Sequence, residues 1–426
     1  MAWLFPELPE LPELPELPEL PELIPGFTLG LIFLLCEQPM PISTPPIYFD
    51  NNASTPLNPQ VAQAMIDYLS DTTAFGNPSL PHWAGNGAKQ ALEHSRQQVA
   101  DYLHCQSNEV IFTSGGTESN NHAIYGAAFH SLASAQPKKH IISSPIEHPA
   151  TLEPLADLVA NHGFEVSYLS VDEQGFFDAA ELKQHLREDT LLVTLMHANN
   201  EFGSIQPIAD IGQWCQQQQV LFHVDAVCSA GKLTIDVAKL NADLLSLSAH
   251  KFYGPKGVGA LYIRHGIDAE ISSFIRGAGQ QQQRRSGTDN VILAVGMGEA
   301  CKQLLNKDIA SSQRQMMTLR NSLWQQLKHA LGDGVDINGS TNDTLRLCNT
   351  LNCSFIGSQG LDLLLQLGGE LAFTAGKACS GSINLLGKGS LQSAGSVRFS
   401  LGAYNTQAEV DRAATLIVNH LNNKDY

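Results

Sequence analysis

From Ile47 onward, apolar runs of strand length alternate with longer runs of helical spacing, and few folds accommodate that rhythm. Strands are expected at 47–50, 109–112, 140–143, 165–169, 191–196, 220–224, 244–247 and 259–262. Helical runs fall between them at 59–68, 88–103, from about Glu118, and at 150–161. Pro59 opens the first of these, as a first turn permits. Such alternation with short crossovers implies an α/β chain whose largely parallel sheet is covered by helices. Ligands in these sheets bind beyond the carboxyl ends of the strands. Gly115–Thr117, His148, Asn199–Asn200 and Asp225 all follow expected strands.

The pattern changes near residue 300. A helical run from about Leu293 to Ala330, with a break expected near Asp308–Ser312, leads to shorter elements through Thr344–Phe355. Helices at Gln359–Gln366 and Gln407–Leu421 complete a smaller α+β domain. The expected division is an N-terminal extension over 1–46, a large ligand-binding domain over 47–300 and a small domain over 301–426. The first segment after the extension is able to join the small domain. Residues 6–23 are six Pro-Glu-Leu repeats, whose prolines oppose a helix and favour extended geometry. Residues 1–40 are expected to be a disordered appendage, with Met40 an alternative start. The apolar stretch Phe27–Leu35 is too short to cross a bilayer and has no basic flank.

A formal charge of -17 argues against a nucleic-acid or anionic-membrane surface. Seven acidic and no basic residues precede Pro46, so the remainder, with 35 acidic against 25 basic, carries the milder -10. The eight cysteines include no CxxC pair and no zinc-binding spacing, so free thiols in a reducing, cytoplasmic setting are expected, and no metal.

The chemistry concentrates in a few segments. In Ser246-Leu-Ser-Ala-His-Lys251-Phe-Tyr-Gly254, small and polar residues surround a lysine that can form a Schiff base with a carbonyl. Asp225, in His223-Val-Asp225, can hold a pyridinium nitrogen in its protonated form. These are the protein's half of pyridoxal phosphate chemistry, although singly each reads equally as a surface lysine or a cap aspartate. Thr113-Ser-Gly-Gly116-Thr117-Glu118 supplies hydroxyls and backbone N–H groups suited to a phosphate at a helix start. Ser248 and His250 are further phosphate or ring-oxygen donors. His148 is placed to lie over the ring and relay protons, the alternative being a structural histidine. Arg398 can clamp a carboxylate bidentately, the alternative being an interdomain salt bridge. Cys379, within Thr374-Ala-Gly-Lys-Ala-Cys-Ser-Gly-Ser382, is a candidate sulfur-accepting thiol in a loop.

Taken together, the motifs resemble the class V aminotransferase superfamily and, within it, the NifS/IscS-like cysteine desulfurases. The match runs through Tyr48-Phe-Asp-Asn-Asn-Ala-Ser-Thr-Pro56, Asn77-Pro-Ser79 with His82, Thr113–Asn121, Glu147-His148 and His197-Ala-Asn-Asn-Glu201. It continues through His223–Asp225, Ser248–Lys251, Arg285–Asn290 and Ser396–Gly402. The resemblance implies a type I pyridoxal phosphate-dependent transferase fold, with a mostly parallel seven-stranded sheet in the large domain. It also implies a homodimer with sites near its interface. Gly116, Thr117, Ser248 and His250 are then expected around the phosphate, Lys251 on the aldehyde, and His148 and Asp225 at the ring. Asn200 is expected near ring oxygen and substrate, Arg398 on the substrate carboxylate, and Thr288 on the phosphate of the opposite subunit.

The activity implied is conversion of L-cysteine to L-alanine with sulfur passed to Cys379 as a persulfide. From there it would go to a sulfur-acceptor or scaffold protein, as in iron–sulfur cluster assembly. Alternatives are a selenocysteine lyase, a cysteine or cystine lyase, and a catalytically lapsed assembly protein that still binds the cofactor. The last is suggested by Cys228, which stands where the family usually has a glutamine facing the cofactor's phenolic oxygen, and by an atypical cysteine loop.

Overall fold

The computed structural model describes residues 45–306, 308–375 and 383–422. The Pro-Glu-Leu extension and Cys379 lie outside these residues. From Pro46 the chain forms one compact unit containing two principal hydrophobic cores.

The chain enters through β1 (Ile47–Tyr48). The main sheet then takes β2 (Val110–Thr113), β3 (His140–Ser143), β4 (Glu165–Tyr168), β5 (Thr190–Met196), β6 (Leu221–Asp225), β7 (Leu244–Ser248) and β8 (Gly259–Ile263). Their spatial order is β2-β8-β7-β6-β5-β3-β4. The expected seven-stranded, mostly parallel sheet is thus present. Only β8 runs against its neighbours β2 and β7. The reason is local: residues 249–258 join β7 to β8 without a crossover helix, so the chain has to return antiparallel. That return loop carries Lys251. Strands β2, β3, β7 and β8 are buried along their whole length, and β5 and β6 at all but one residue each, because helices cover the sheet, while β4 exposes Glu165 and Tyr168 at the sheet edge.

One helix starts earlier than the sequence suggests. The one expected at Ala88 begins at Trp83, where His82 Nδ1 accepts the Gly85 N–H at 3.1 Å. Gly85 and Gly87 depress helix propensity and so conceal this first turn in the sequence. Gly85 is required there: a Cβ would lie 2.2 Å from the Leu80 carbonyl oxygen. The long run after Val291 breaks beside Asp308, close to where the sequence placed the break, giving two helices, Val291–Asn306 and Ile309–Leu331, the second capped by Asp308, which accepts from Ser311 N. Cys301 and Leu304 of the first helix pack into the main core, so residues 301–306 go with the large sheet.

The second core surrounds a small antiparallel sheet. Its strands are β9 (Val335–Ile337), β10 (Thr350–Phe355), β12 (Thr374–Ala375) and β13 (Ser396–Ser400), in the order β12-β13-β10-β9. The two-residue strand β11 (Leu371–Ala372) pairs in parallel with β1. Ile47 and Phe49 therefore pack with Leu351, Phe355, Val397 and Phe399. This tie draws residues 50–53 between the two cores.

Candidate active site

A cavity of about 330 Å³ opens at the carboxyl ends of the main strands, within the size range of small-ligand sites. Five segments with different structural reasons for being there supply its walls.

The first is the β2-to-helix turn. Gly115 has φ +155° and ψ -177°, a region that only glycine enters readily, and the helix Gly116–Leu132 starts there. A Cβ on Gly116 would meet Val227 Cγ2 at 2.6 Å, so the bare backbone allows the helix start to close against the Asp225 loop. Gly116 and Thr117 line the cavity and offer it unpaired first-turn N–H groups and a favourable helix dipole. Ser248, at the end of β7, and His250 line the same wall. Burial and the charges of Lys251, Lys256 and Lys232 push His250 down to about 4, so it stands there as a neutral imidazole.

The second is the end of β6. Asp225 is 6 % exposed and doubly fixed: Oδ1 accepts from Val227 N at 2.9 Å, and Oδ2 from Asn120 Nδ2 at 2.7 Å. The third is the start of the helix Pro149–His162. His148 caps it, its Nδ1 accepting the Ala150 N–H at 3.0 Å, which leaves the proton of the neutral ring on Nε2. Burial depresses its basicity. Behind it, burial pushes Glu147 up to about 8, and its Oε1 accepts from Ser144 Oγ and Met196 N.

The fourth is the β7–β8 loop. Lys251 closes a single 3₁₀ turn, Ala249–Lys251, and its Nζ donates to Asn52 O at 2.5 Å and Ala53 O at 3.1 Å. Burial lowers its basicity. Lys232 and Arg398 add to that, against the opposing influence of Cys228 and Asp225. Cys228 lines the cavity too and packs against Ala198 and Leu347. The fifth segment joins the two cores. Arg398, on β13, donates from Nη1 to Glu201 Oε1 at 2.7 Å and Asn200 O at 3.0 Å, and from Nη2 to Asp50 Oδ1 at 2.9 Å. Asn200 Nδ2 donates to Glu201 Oε1 at 2.9 Å.

The structure therefore gathers Gly116, Thr117, His148, Asn200, Asp225, Cys228, Ser248, His250, Lys251 and Arg398 around one space. Thr288 is elsewhere, in a cleft bounded by Asp71, Phe75, Asn77 and Asp289. Sequence reasoning missed Asn120, Glu201, Asp50 and the Asn52–Ala53 carbonyls. Asn120 and Glu201 sat inside quoted motifs, but nothing local distinguishes a second polar residue that braces the first.

These donors suit pyridoxal phosphate. Helix-start N–H groups, two hydroxyls and a neutral imidazole suit a dianionic phosphate. An aspartate held by two donors suits a pyridinium, and an amine of lowered basicity suits an aldehyde.

Comparison with known proteins agrees with that donor set. The aminotransferase class-V family model matches residues 47–413. The cysteine desulfurase IscS of Methanosarcina thermophila is 42% identical over 379 residues, spanning 87% of this chain and 91% of that protein. The cysteine desulfurase IscS of Klebsiella pneumoniae is 41% identical over 381 residues, spanning 87% of this chain and 92% of that protein. Among solved structures, a NifS-like protein superposes with a TM-score of 0.82 at 36% identity, covering 88% of this chain and 99% of that one. SspA in complex with cysteine superposes with a TM-score of 0.70 at 34% identity, covering 84% of this chain and 100% of that one.

Proposed function

This chain belongs to the class V aminotransferase family and is a cysteine desulfurase dependent on pyridoxal phosphate, and we propose that it moves the sulfur of L-cysteine onto the thiol of Cys379. The observation that carries the reading is the convergence of Lys251, Asp225, His148 and Arg398 on one cavity. Lys251 holds the cofactor's aldehyde, Asp225 its ring nitrogen, and Gly116, Thr117, Ser248 and His250 its phosphate. When bound, the cofactor supplies an electron-poor ring that eases loss of the substrate's α-proton and weakens its carbon–sulfur bond.

The chain's own residues do the remainder. Arg398 and Asn200 hold the cysteine carboxylate and fix which face of Cα is presented. The Lys251 amine, less basic through burial, takes the α-proton. Asn52 O and Ala53 O are positioned to accept from the resulting ammonium. His148, with Nδ1 committed to its helix cap, relays protons through Nε2. The Cys379 thiolate attacks the substrate sulfur. A sulfur–sulfur bond forms, and the carbon–sulfur bond breaks with its electron pair left on carbon. A proton returned to that carbon completes alanine, so no external oxidant or reductant is consumed.

The working form in this reading is a cytoplasmic homodimer that passes persulfide sulfur to an acceptor or scaffold protein, as in iron–sulfur cluster assembly. Thr288 of the second copy then completes the phosphate site. Supporting a second copy, the cleft holding Thr288 also holds Phe75, which is 71% exposed and packs edge-on against the exposed Trp83. No helix among the described residues is long and apolar enough to cross a membrane.

The test is product analysis with cysteine as substrate. Wild type should form alanine, and Cys379→Ser should lose both the persulfide detected by mass spectrometry and at least about 100-fold in alanine formation. Pyruvate as the main product, or full alanine formation by Cys379→Ser, would overturn the reading. Turnover of selenocysteine but not cysteine would replace it with the selenocysteine lyase.

A further inference from the structure

We propose that Asp50 is an internal occupant of the carboxylate-binding face of Arg398, displaced when substrate enters, and so a specificity-determining residue of this site. The proposal rests on the reading of Arg398 as receptor for the substrate carboxylate.

Donor arithmetic leads to it. A guanidinium offers four terminal N–H bonds, two on each Nη. Both on Nη1 are taken, by Asn200 O at 3.0 Å and Glu201 Oε1 at 2.7 Å. Both on Nη2 are taken as well, by Asp50 Oδ1 at 2.9 Å and Thr374 Oγ1 at 2.7 Å. Nε carries a single further N–H, so a carboxylate gripped through two N–H bonds of Arg398 has to displace one of these four partners.

The two ends are not equally exchangeable. Asn200 O also accepts from Asn52 Nδ2 at 3.1 Å, and Glu201 Oε1 also accepts from Asn200 Nδ2 at 2.9 Å. The Glu201 side chain is 7% exposed, so releasing it would strand a buried charge. Asp50 is 19% exposed and accepts from Thr374 Oγ1 at 2.7 Å. The Asp50–Thr374 pair can stay together when Nη2 lets go, and the freed carboxylate recovers water. Substrate thus enters at Nη2 while Nη1 keeps the guanidinium in place.

Two consequences follow. Arg398, Asp50 and Glu201 sum to one net negative charge before any substrate arrives. A simple carboxylate is repelled by that excess, whereas an α-amino acid brings its own cation. The site accordingly favours zwitterions over carboxylic acids of the same shape, and Asp50 holds down the affinity for both.

The experiment uses holoenzyme, with 3-mercaptopropionate as a competitive inhibitor that lacks the amine of cysteine. In Asp50→Asn the amide can still hydrogen-bond Thr374, but the competing charge is gone. Its inhibition constant should fall about tenfold, and KM for cysteine should fall several-fold, with the change in KM rather than in kcat. An unchanged or raised inhibition constant would overturn the proposal, since Asp50 would then merely orient Arg398. Asp50→Ser carries the same test if the asparagine variant fails to retain its circular dichroism and bound cofactor. Arg398→Gln tests the underlying reading separately: an inhibition constant at the wild-type value in that variant would remove Arg398 as the receptor, whatever Asp50 does.

Discussion

Lys251 shows how a residue's chemistry is set by what surrounds it. Its amine stands in the cavity wall, largely but not wholly buried, and that burial lowers its basicity, as a lysine needs in order to react with an aldehyde near neutral pH. Lys251→Ala should abolish the visible absorbance of lysine-bound cofactor and reduce turnover by about 10³-fold or more, checked by spectrophotometry and alanine formation. Asn120 belongs to the same device one step back, donating to Asp225 at 2.7 Å. Asn120→Ala removes one hydrogen bond to a carboxylate, a loss of about 1.5–3 kcal/mol, and should weaken cofactor retention about tenfold or more, read by cofactor fluorescence during dialysis. Lys251 and Asp225 stood out in the sequence through the company of their motifs rather than singly, and the fold brings both to one cavity. Asn120, Asp50 and Glu201 were not. Their roles depend on partners 105, 348 and 197 positions away, and a single chain read in order carries no record of which distant polar groups meet.

At the scale of elements, the approach of the Gly116–Leu132 helix to the Asp225 loop decides whether the phosphate wall exists. Gly116→Ala would place a methyl 2.6 Å from Val227 Cγ2, so either the helix start or the loop has to move. The expected cost is about 1–3 kcal/mol of stability, with cofactor affinity lowered in parallel. Adding Val227→Ala removes the obstructing methyls and should restore most of the affinity. A double variant no better than Gly116→Ala would show that the glycine matters for its backbone alone. Elements with strong local pattern, such as β3, β5 and the Pro59–Ser70 helix, were readable to within a residue or two. The antiparallel turn of β8 was not read in advance, although the absence of a crossover helix after Ser248 already required it. The pairing of β1 with β11 had no local signal at all, since two-residue strands separated by more than 300 positions are joined only by the finished core.

Across the whole molecule, buried ionisable groups set how stability follows pH. Burial depresses His122, His197 and His223 to about 4, so each is neutral in the fold. A histidine with a depressed folded pKa contributes stability above its unfolded value of about 6.5, and that contribution is lost as pH falls towards 4. Glu147 acts in the opposite sense. Burial holds it protonated up to about 8, so its contribution is complete below its unfolded value and is lost as pH rises through 8. Between pH 8 and 6.5 only the glutamate term changes strongly, and acidification stabilises. Between pH 6.5 and 4.5 these three histidines, joined by His250 with its pKa of about 4, outweigh it, and acidification destabilises. The thermal midpoint of the cofactor-free protein should therefore peak near pH 6.5 and decline on both sides. Glu147→Gln, which keeps the shape and removes the titration, should abolish the alkaline decline while leaving the acid limb as it was. Thermal scans from pH 5 to 8.5 check this, and an alkaline limb unchanged in Glu147→Gln would mean that the carboxyl is already ionised in the native state.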